Sequence, residues 1–225
     1  MITKIAIIVA GGNGQRMQTG TPKQFLCIHN KPIIIHTLEA FIKAVSDIKL
    51  ILVLPKDSVE TWEKIKVDSN FQYPVNVIKG GKTRTDSVIN GLNAVVDHNS
   101  IIAIHDGVRP LVSADLIKQG FDIAEESGNA IPVLPINESL RFIDNQESHP
   151  VSRIGIYSVQ TPQCFQYQII ADSYEGCRNT SYTDDATVAE SAGYSLNFYS
   201  GETTNIKITF PNDLKTAEFY LKMKS

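Results

Sequence analysis

The sequence predicts an α/β fold: a mostly parallel, twisted sheet with helices on both faces. Apolar runs at residues 3–10, 49–54 and 100–104 alternate with segments of helical apolar periodicity at 33–42 and 59–67. This alternation is typical of repeated βαβ units. Each run also ends in a loop that contains glycine or proline, and such sheets bind ligands at the carboxyl ends of their strands. We therefore expect the functional loops to meet at one edge of the sheet.

The later segments continue the alternation with one interruption. A strand is expected at 73–78, a helix from Arg84 through Val95, a helix at about 113–126, and a strand with two prolines at 129–135, close to a sheet edge. Residues 136–158 break the pattern. They predict two short strands, 139–143 and 151–157, about a polar turn at 144–149. Such a projecting β-arm would cover a site or pair with a second subunit.

The last third of the chain returns to helices and strands. We expect a helix ending near Tyr174, a helix with Thr183 as N-cap and two acids in its first turn, and strands at 194–199 and 205–209. A terminal helix should run from Pro211 to about Met223. No linker or internal repeat interrupts the chain, so we expect one domain, 1–225, with the arm at 136–158 inside it.

Composition limits the classes of partner. The 225 residues carry a net charge of -3, which gives no general attraction to nucleic acid. Three widely spaced cysteines show no zinc-binding pattern and favour a reducing compartment. The first apolar run is too short for a signal-peptide core or a membrane span. We expect a cytoplasmic protein without a nucleic-acid or membrane partner.

A glycine-rich, basic loop follows the first predicted strand. Ala10, Gly11 and Gly12 lead into Arg16, and Lys23 lies seven residues further on. Met17 stands where a dinucleotide fingerprint needs its third glycine, and no Gly-Lys-Ser/Thr sequence follows at P-loop spacing. Exposed backbone N–H groups beside two cations suit a polyphosphate.

A second glycine loop opens the helix at Arg84. The string Gly81-Lys82-Thr83 imitates the tail of a P-loop, but Asn76 stands where that motif needs a glycine. The helix N-terminus, with Arg84 and Ser87, is suited to hold part of a nucleotide. A capped surface helix with solvated charges is the alternative.

Asp106 ends a buried strand beside a glycine, a common position for a magnesium ligand. Neighbouring strand residues face opposite sides, so His105 should be structural. The cations Arg16, Lys23, Arg84, Arg109 and Lys207 occur without a Ser/His/Asp or Cys/His set. This pattern favours nucleotidyl transfer onto a phosphate, which is already ionised near neutral pH and needs no general base.

Seven segments, taken together, resemble one family. The strings AGGNGQRM, PKQFL, GGKTRTDSV, HDGVRP, QTPQCF, YTDDATVAE and NIKITFPNDL are similar, in order, to those of 2-C-methyl-D-erythritol 4-phosphate cytidylyltransferases of the non-mevalonate isoprenoid pathway. The resemblance implies a Rossmann-like nucleotidyltransferase fold, a homodimer joined by the arm, and CTP, methylerythritol phosphate and Mg²⁺ as ligands. The products would be a CDP-alcohol and pyrophosphate.

The resemblance also implies roles for individual residues. Arg16 and Lys23 would stabilise the transition state. The nucleotide would be surrounded by Ala10, Gly11, Gly12, Gly81, Arg84 and Ser87. Asp106 would bind the metal and contact substrate. The methylerythritol phosphate would be held by Arg109, Thr183 and Lys207, with Arg153 reaching across from the second subunit, and Arg153 and Lys207 would also serve catalysis. The arm departs from the family pattern, since Ser139 stands where a threonine is usual.

Three alternatives stay open at this point. A ribitol-5-phosphate cytidylyltransferase shares the glycine loop, the lysine motif and the terminal NIK segment, although the intact block from Thr183 to Ala186 suits the methylerythritol enzymes better. An inactive nucleotide-binding regulator is disfavoured because Arg16, Lys23, Asp106 and Lys207 are all present. A dinucleotide-dependent oxidoreductase is disfavoured by Met17.

Overall fold

The computed structural model of the chain describes residues 2–11, 20–145, 147–176 and 182–224. The strands within these ranges are β1 (Thr3–Val9), β2 (Cys27–Ile28), β3 (Lys31–Pro32), β4 (Lys49–Leu54), β5 (Val75–Lys79), β6 (Ser100–Asp106), β7 (Asn129–Pro135), β8 (Leu140–Asp144), β9 (Glu147–Val151), β10 (Tyr157–Val159), β11 (Gln163–Gln166) and β12 (Phe198–Ser200).

The helices are α1 (Ile33–Ala44), α2 (Val59–Asp68), α3 (Arg84–Leu92), α4 (Ala114–Ser127), α5 (Tyr167–Glu175), α6 (Asp185–Ser191) and α7 (Pro211–Lys224). No helix in the described ranges is both long enough and apolar enough to cross a membrane.

Eight strands form the main sheet, in the order β10-β7-β11-β6-β1-β4-β5, with β12 pairing with β7. The strands β6, β1, β4 and β5 are mutually parallel, whereas β11 runs antiparallel between β6 and β7. The predicted α/β class is therefore confirmed, in the form of a mixed sheet with a parallel half. The uninterrupted apolar sequence of β1 correctly indicated that this strand lies in the interior of the sheet.

Side chains alternate across the parallel strands and form two cores, one on each face. Ala6 and Ile8 of β1 pack with α1, α2 and α4, whereas Ile5 and Ile7 pack with α3, α5 and α6. This alternation follows from the two-residue period of a strand. Helices on both faces, as predicted, thus sandwich the sheet. A third core cluster joins α7 to Val108 and Leu111 after β6.

The helix expected to end near Tyr174 is confirmed as α5, but the short strand β11 that precedes it was not predicted. Three local predictions were wrong. The segment 205–209 is not a strand: its backbone bonds to loops, as when Ile208 N–H donates to Val108 O at 2.9 Å, and the apolar alternation reflects burial of Ile208. The strand expected at 194–199 shortens to β12 because the side chain of Asn129 bonds to the backbone of Ser195 and Asn197.

The third error concerns the hairpin. Its strands are β8 and β9, and Asp144 pairs directly with Glu147, so residues 147–149 of the expected polar turn belong to β9. The segment after β9 leads instead to β10, which joins the main sheet through β7. The pair β8–β9 forms a two-stranded sheet of its own, and its residues are exposed or half-buried. That it projects as a dimerisation arm stays a prediction.

Candidate active site

The loops after the parallel strands meet at one edge, because parallel strands place their carboxyl ends together. Backbone hydrogen bonds extend the sheet into these loops: Ala10 N–H donates to Val53 O, and Gly107 N–H donates to Val9 O, both at 2.9 Å. The glycine loop after β1 and the loop after β6 are therefore held side by side.

A cavity of about 690 Å³ opens at this edge. Eight of the residues singled out from the sequence line it: Ala10, Gly11, Lys23, Gly81, Arg84, Ser87, Asp106 and Lys207. Lys56 and Lys82 also line it and were not anticipated. Asp106 is the one acid among the described lining residues. Five cations around one carboxylate make the cavity suitable for a polyphosphate.

Asp106 is the centre of a buried charge cluster at the inner wall of the cavity. Its Oδ2 lies 3.0 Å from Lys207 Nζ and 3.2 Å from Arg109 Nε, and its Oδ1 lies 3.9 Å from Arg84 Nε. Burial alone would raise the pKa of this carboxyl, but Lys207, Arg84 and Arg109 outweigh it and hold the pKa well below its usual range. Asp106 is therefore ionised throughout the physiological range.

Arg84 connects this cluster to a second buried acid. Its Nη1 and Nη2 donate to Asp185 Oδ1 and Oδ2 at 2.9 and 2.6 Å, and Tyr174 Oη donates to Asp185 Oδ1 at 2.6 Å. Burial by itself lowers the pKa of the guanidinium, but the charge and hydrogen bonds of Asp185 outweigh it and raise the pKa above its ordinary value. Asp185 therefore does more than place a negative charge in the first turn of α6, which is all that the sequence predicted for it.

The actual N-cap of α6 is Asp184, not Thr183. The Asp184 side chain accepts from Thr187 N–H at 3.2 Å. Asp185 begins the helix and is fully buried. The only sequence signal for this role is that a second acid, Asp185, follows Asp184. From the sequence alone, such an acid cannot be distinguished from one that simply complements the helix dipole in the first turn.

His105 is a structural residue, in agreement with the expectation from strand alternation. Its Nε2–H donates to Arg109 O at 3.2 Å, and its Nδ1 accepts from Thr161 Oγ1 at 3.1 Å. The same Thr161 oxygen accepts from Asp106 N–H at 3.1 Å. Burial lowers the pKa of His105 to about 4, so the ring is neutral at pH 7. Its two hydrogen bonds hold Arg109 and Thr161 in place beside Asp106.

Lys207 is positioned by loop contacts that the sequence did not reveal. Asn205 is fully buried, its Nδ2 donates to Thr161 O at 2.9 Å, and its carbonyl oxygen accepts from Arg109 Nη1 at 2.9 Å. Lys23 Nζ lies 3.5 Å from Ile208 O. The segment NIK of the terminal motif thus brings Lys207 to Asp106 and lies beside Lys23.

The N-terminus of α3 forms the opposite wall. Thr83 and Asp86 make a capping box, and Ser87 Oγ accepts from Gly81 N–H at 3.1 Å. A Cβ on Gly81 would lie 2.1 Å from the Cβ of Asp86, so only glycine fits there. The predicted nucleotide loop is therefore shaped by a helix cap that leaves no room for a side chain.

The remaining predicted residues lie elsewhere. Arg109 is buried behind Asp106 and does not line the cavity, whereas Thr183, Ser139 and Arg153 are exposed. Arg153 Nη1 contacts the carbonyl oxygen of Asn137 at the base of the hairpin. Gly12 and Arg16 lie outside the described residues. Roles assigned to these positions stay predictions.

Within the described ranges, no three His, Cys, Asp or Glu side chains group together as a metal cage. Asp106 nevertheless suits a magnesium ion that is bound mainly by phosphate oxygens and water. Lys207 and Arg109 contact its Oδ2, whereas its Oδ1 lies 3.9 Å from Arg84 Nε, beyond hydrogen-bond distance.

A larger cavity of about 830 Å³ lies at the amino end of the strands, lined by residues such as Ile48, Leu50, Tyr73 and Val75. Its mostly apolar lining does not contain the cation cluster. Chemistry, not size, therefore places the candidate site at the carboxyl edge.

Comparison with known proteins points in the same direction. The family model of IspD, 2-C-methyl-D-erythritol 4-phosphate cytidylyltransferase, matches residues 4–223. A protein of that name from Azobacteroides pseudotrichonymphae genomovar. CFP2 is 44% identical over 219 residues, covering 97% of this chain and 98% of the relative. One from Bacteroides thetaiotaomicron is 41% identical over 209 residues, covering 93% and 95%.

Solved structures show the same similarity. A 4-diphosphocytidyl-2C-methyl-D-erythritol synthase from Anaerococcus prevotii superposes with a TM-score of 0.81 at 27% identity, covering 98% of this chain and 99% of that one. The 2-C-methyl-D-erythritol 4-phosphate cytidylyltransferase from Thermus thermophilus gives 0.78 at 28% identity, covering 99% and 100%. Because sequence and fold agree over nearly the whole length, the chain belongs to the 2-C-methyl-D-erythritol 4-phosphate cytidylyltransferase family.

Proposed function

We propose that this chain joins CTP to 2-C-methyl-D-erythritol 4-phosphate, releasing pyrophosphate and forming the CDP-alcohol of isoprenoid precursor synthesis. The observation that carries the proposal is the cavity at the carboxyl edge, where Lys23, Lys56, Lys82, Arg84 and Lys207 surround the single carboxylate Asp106. Membership of the family supplies the identity of the two substrates.

In the proposed reaction, an oxygen of the acceptor phosphate attacks the α-phosphorus of CTP. The bond between the α-phosphorus and the bridging oxygen breaks, and pyrophosphate leaves with the electron pair. The second pKa of a phosphate monoester is about 6, so the nucleophile is ionised at pH 7. This agrees with the histidine at the site, since His105 is buried, neutral and fully hydrogen-bonded, and is not placed to act as a base.

The work left to the protein is alignment and charge stabilisation. Lys23 and Lys207 would neutralise charge developing at the α-phosphate and on the acceptor phosphate, together with Arg16. The wall formed by Ala10, Gly11, Gly81, Arg84 and Ser87 would hold cytosine and ribose. Gly12 is proposed to share this role. Asp106 would hold Mg²⁺, which when bound neutralises triphosphate charge.

The acceptor would be held by Arg109, Ser139, Thr183 and Lys207. Arg109 would act from behind Asp106, because its Nε and Nη1 are engaged by Asp106 and Asn205. Arg153 would come from a second copy of the chain in a homodimer formed through the hairpin. Its exposure at the hairpin base, beside Ile154 with 90% of its surface exposed, supports this arrangement.

The decisive experiment measures pyrophosphate release from CTP and Mg²⁺ with two acceptors in separate reactions. We expect release with methylerythritol 4-phosphate and little with ribitol 5-phosphate. Preference for ribitol 5-phosphate would retain the chemistry but refute the proposed acceptor. Absence of release with both acceptors, while CTP still binds, would refute the proposed activity.

A further inference from the structure

Arg84 is held more firmly than any role in capping α3 requires. It is the first residue of α3 and lines the cavity, yet both terminal nitrogens of its guanidinium donate to one carboxylate, that of Asp185, at 2.9 and 2.6 Å. A bidentate pair fixes both the position and the plane of a guanidinium. Asp185 thereby determines where the charge of Arg84 lies in the cavity wall.

Asp185 is not explained by its own helix. Asp184 supplies the N-cap of α6, whereas the Asp185 side chain is fully buried and uses both oxygens away from the helix terminus. Tyr174 of α5 donates a 2.6 Å hydrogen bond to Oδ1, so the carboxylate receives three donors. A buried ion pair gains little stability over apolar residues of the same volume. Its presence in the wall of a ligand cavity indicates a role in the site.

The pairing also sets the distance between Arg84 and Asp106. With Nη1 and Nη2 engaged by Asp185, the Arg84 Nε lies 3.9 Å from Asp106 Oδ1, beyond hydrogen-bond distance. Among the described cations, Lys207, at 3.0 Å, therefore remains the closest to Asp106. Without Asp185, the guanidinium would be free to move onto Asp106, where it would compete with Lys207 and lose its present position in the cavity wall.

We propose that Asp185, supported by Tyr174, is a positioning residue that holds Arg84 in the wall of the CTP cavity and keeps it from closing onto Asp106. The inference rests on the proposed function for the identity of the nucleotide. It assigns no contact between Asp185 and substrate, since the carboxylate is buried behind Arg84 and acts through it.

The test compares Asp185→Asn, Tyr174→Phe, Arg84→Ala and the double variant Arg84→Ala/Asp185→Asn in steady-state kinetics. Asp185→Asn should lower kcat/KM for CTP on the order of 10- to 100-fold, mainly through KM, as expected when a positioned group is displaced by about 1 Å. The KM for methylerythritol phosphate should change much less. The double variant should match Arg84→Ala within about twofold, because Asp185 acts only through Arg84.

Asp184→Asn is the matched control. It changes the neighbouring acid while keeping a good N-cap, so kcat and both KM values should equal those of the unchanged chain. Asp185→Glu should recover part of the loss, because a carboxylate is restored. If Asp185→Asn does not fold, Tyr174→Phe, which removes one hydrogen bond, should still raise KM for CTP several-fold.

Two results would overturn the inference: kinetics of Asp185→Asn and Tyr174→Phe that match the unchanged chain, or a double variant far worse than Arg84→Ala. Calorimetric titration with CTP and Mg²⁺ separates this outcome from failure of the proposed function. If methylerythritol phosphate is not a substrate, the ratio of CTP dissociation constants between Asp185→Asn and the unchanged chain still tests the positioning role.

Discussion

Asp106 shows how one residue depends on its partners. Its carboxylate is buried at the end of β6, an environment that disfavours a charge. Three cations offset that cost: Arg109 comes from three residues further along the chain, whereas Arg84 and Lys207 come from distant parts of it, and Lys207 lies closest of the three. The cluster of Asp106, Asp185 and these cations carries one net positive charge, which suits an anionic ligand.

Replacing Lys207 with alanine should therefore lower kcat/KM. We expect a loss of about 10²- to 10³-fold, comparable with removal of one transition-state donor. Steady-state pyrophosphate release measures the effect. Lys31→Ala is the matched control, because the Lys31 side chain is 41% exposed, like that of Lys207, but pairs with Glu39 on the surface. An equal loss in both variants would contradict the specific role of Lys207.

His105 predicts how stability depends on pH. Burial lowers its pKa in the folded chain to about 4, whereas the unfolded value is 6.5, so the unfolded chain binds the proton first. The contribution of His105 is therefore complete above pH 6.5 and is lost as pH falls from 6.5 towards 4. At pH 5 the loss is about 2 kcal/mol of the free energy of unfolding.

Urea denaturation at pH 7.5 and pH 5 checks this expectation. His105→Gln keeps an amide that can donate to Arg109 O and does not titrate. The variant should be less stable at pH 7.5 but should lose less stability on acidification than the unchanged chain. Equal losses would show that His105 does not titrate as inferred.

At the scale of elements, the N-terminus of α3 couples helix capping to the shape of the cavity. Thr83 and Asp86 satisfy each other's backbone N–H groups, and this geometry brings Asp86 against Gly81. Gly81 in turn donates to Ser87. A change in the cap therefore changes the part of the cavity wall formed by Gly81 and Ser87.

Gly81→Ala should raise KM for CTP by at least tenfold, because its Cβ would lie 2.1 Å from Asp86 and displace the loop. Gly20→Ala is the control, since no atom of the described residues lies within 4 Å of a Cβ built there. Kinetics and thermal unfolding of both variants are the measurements. Unchanged KM in Gly81→Ala would show that the loop adapts without affecting the nucleotide.

Sequence patterns located the long elements well and the short ones poorly. The strand at Lys49–Leu54 was predicted with its observed bounds, because the five residues after Lys49 are all buried and give a clear apolar run. The four-residue β11 carries no comparable signal, and its position between β6 and β7 depends on strands far away in sequence. Local periodicity also predicted a strand at 205–209 that is not present, because the burial of single side chains there gives the same alternation as a strand.

At the scale of the whole molecule, the hairpin carries exposed apolar side chains. Phe142 and Ile143 are 55% and 69% exposed, although both lie on β8, which pairs with β9. Exposed apolar residues on a surface hairpin suit a protein interface. This surface supports the proposal of a homodimer joined through the hairpin.

If the proposed homodimer forms through the hairpin, the double variant Phe142→Ser/Ile143→Ser should be monomeric at a concentration where the unchanged chain is dimeric. Light scattering coupled to size exclusion measures the mass, and turnover should fall because the proposed contribution of Arg153 from the second copy would be lost. Val67→Ser removes a similarly exposed side chain from α2 and should leave mass and turnover unchanged. A dimeric double variant would place the interface elsewhere.

The sequence by itself determined the α/β class, the interior strands and the loops that carry Lys23, Gly81, Arg84 and Asp106. It could do so because buried strands and functional loops are recognised from patterns of neighbouring residues. Only the tertiary structure decided that Asp185 pairs with Arg84, 101 residues away, and that loop contacts bring Lys207 to Asp106. Pairing between distant side chains leaves no local pattern, because each partner alone is consistent with a cap or a solvated charge.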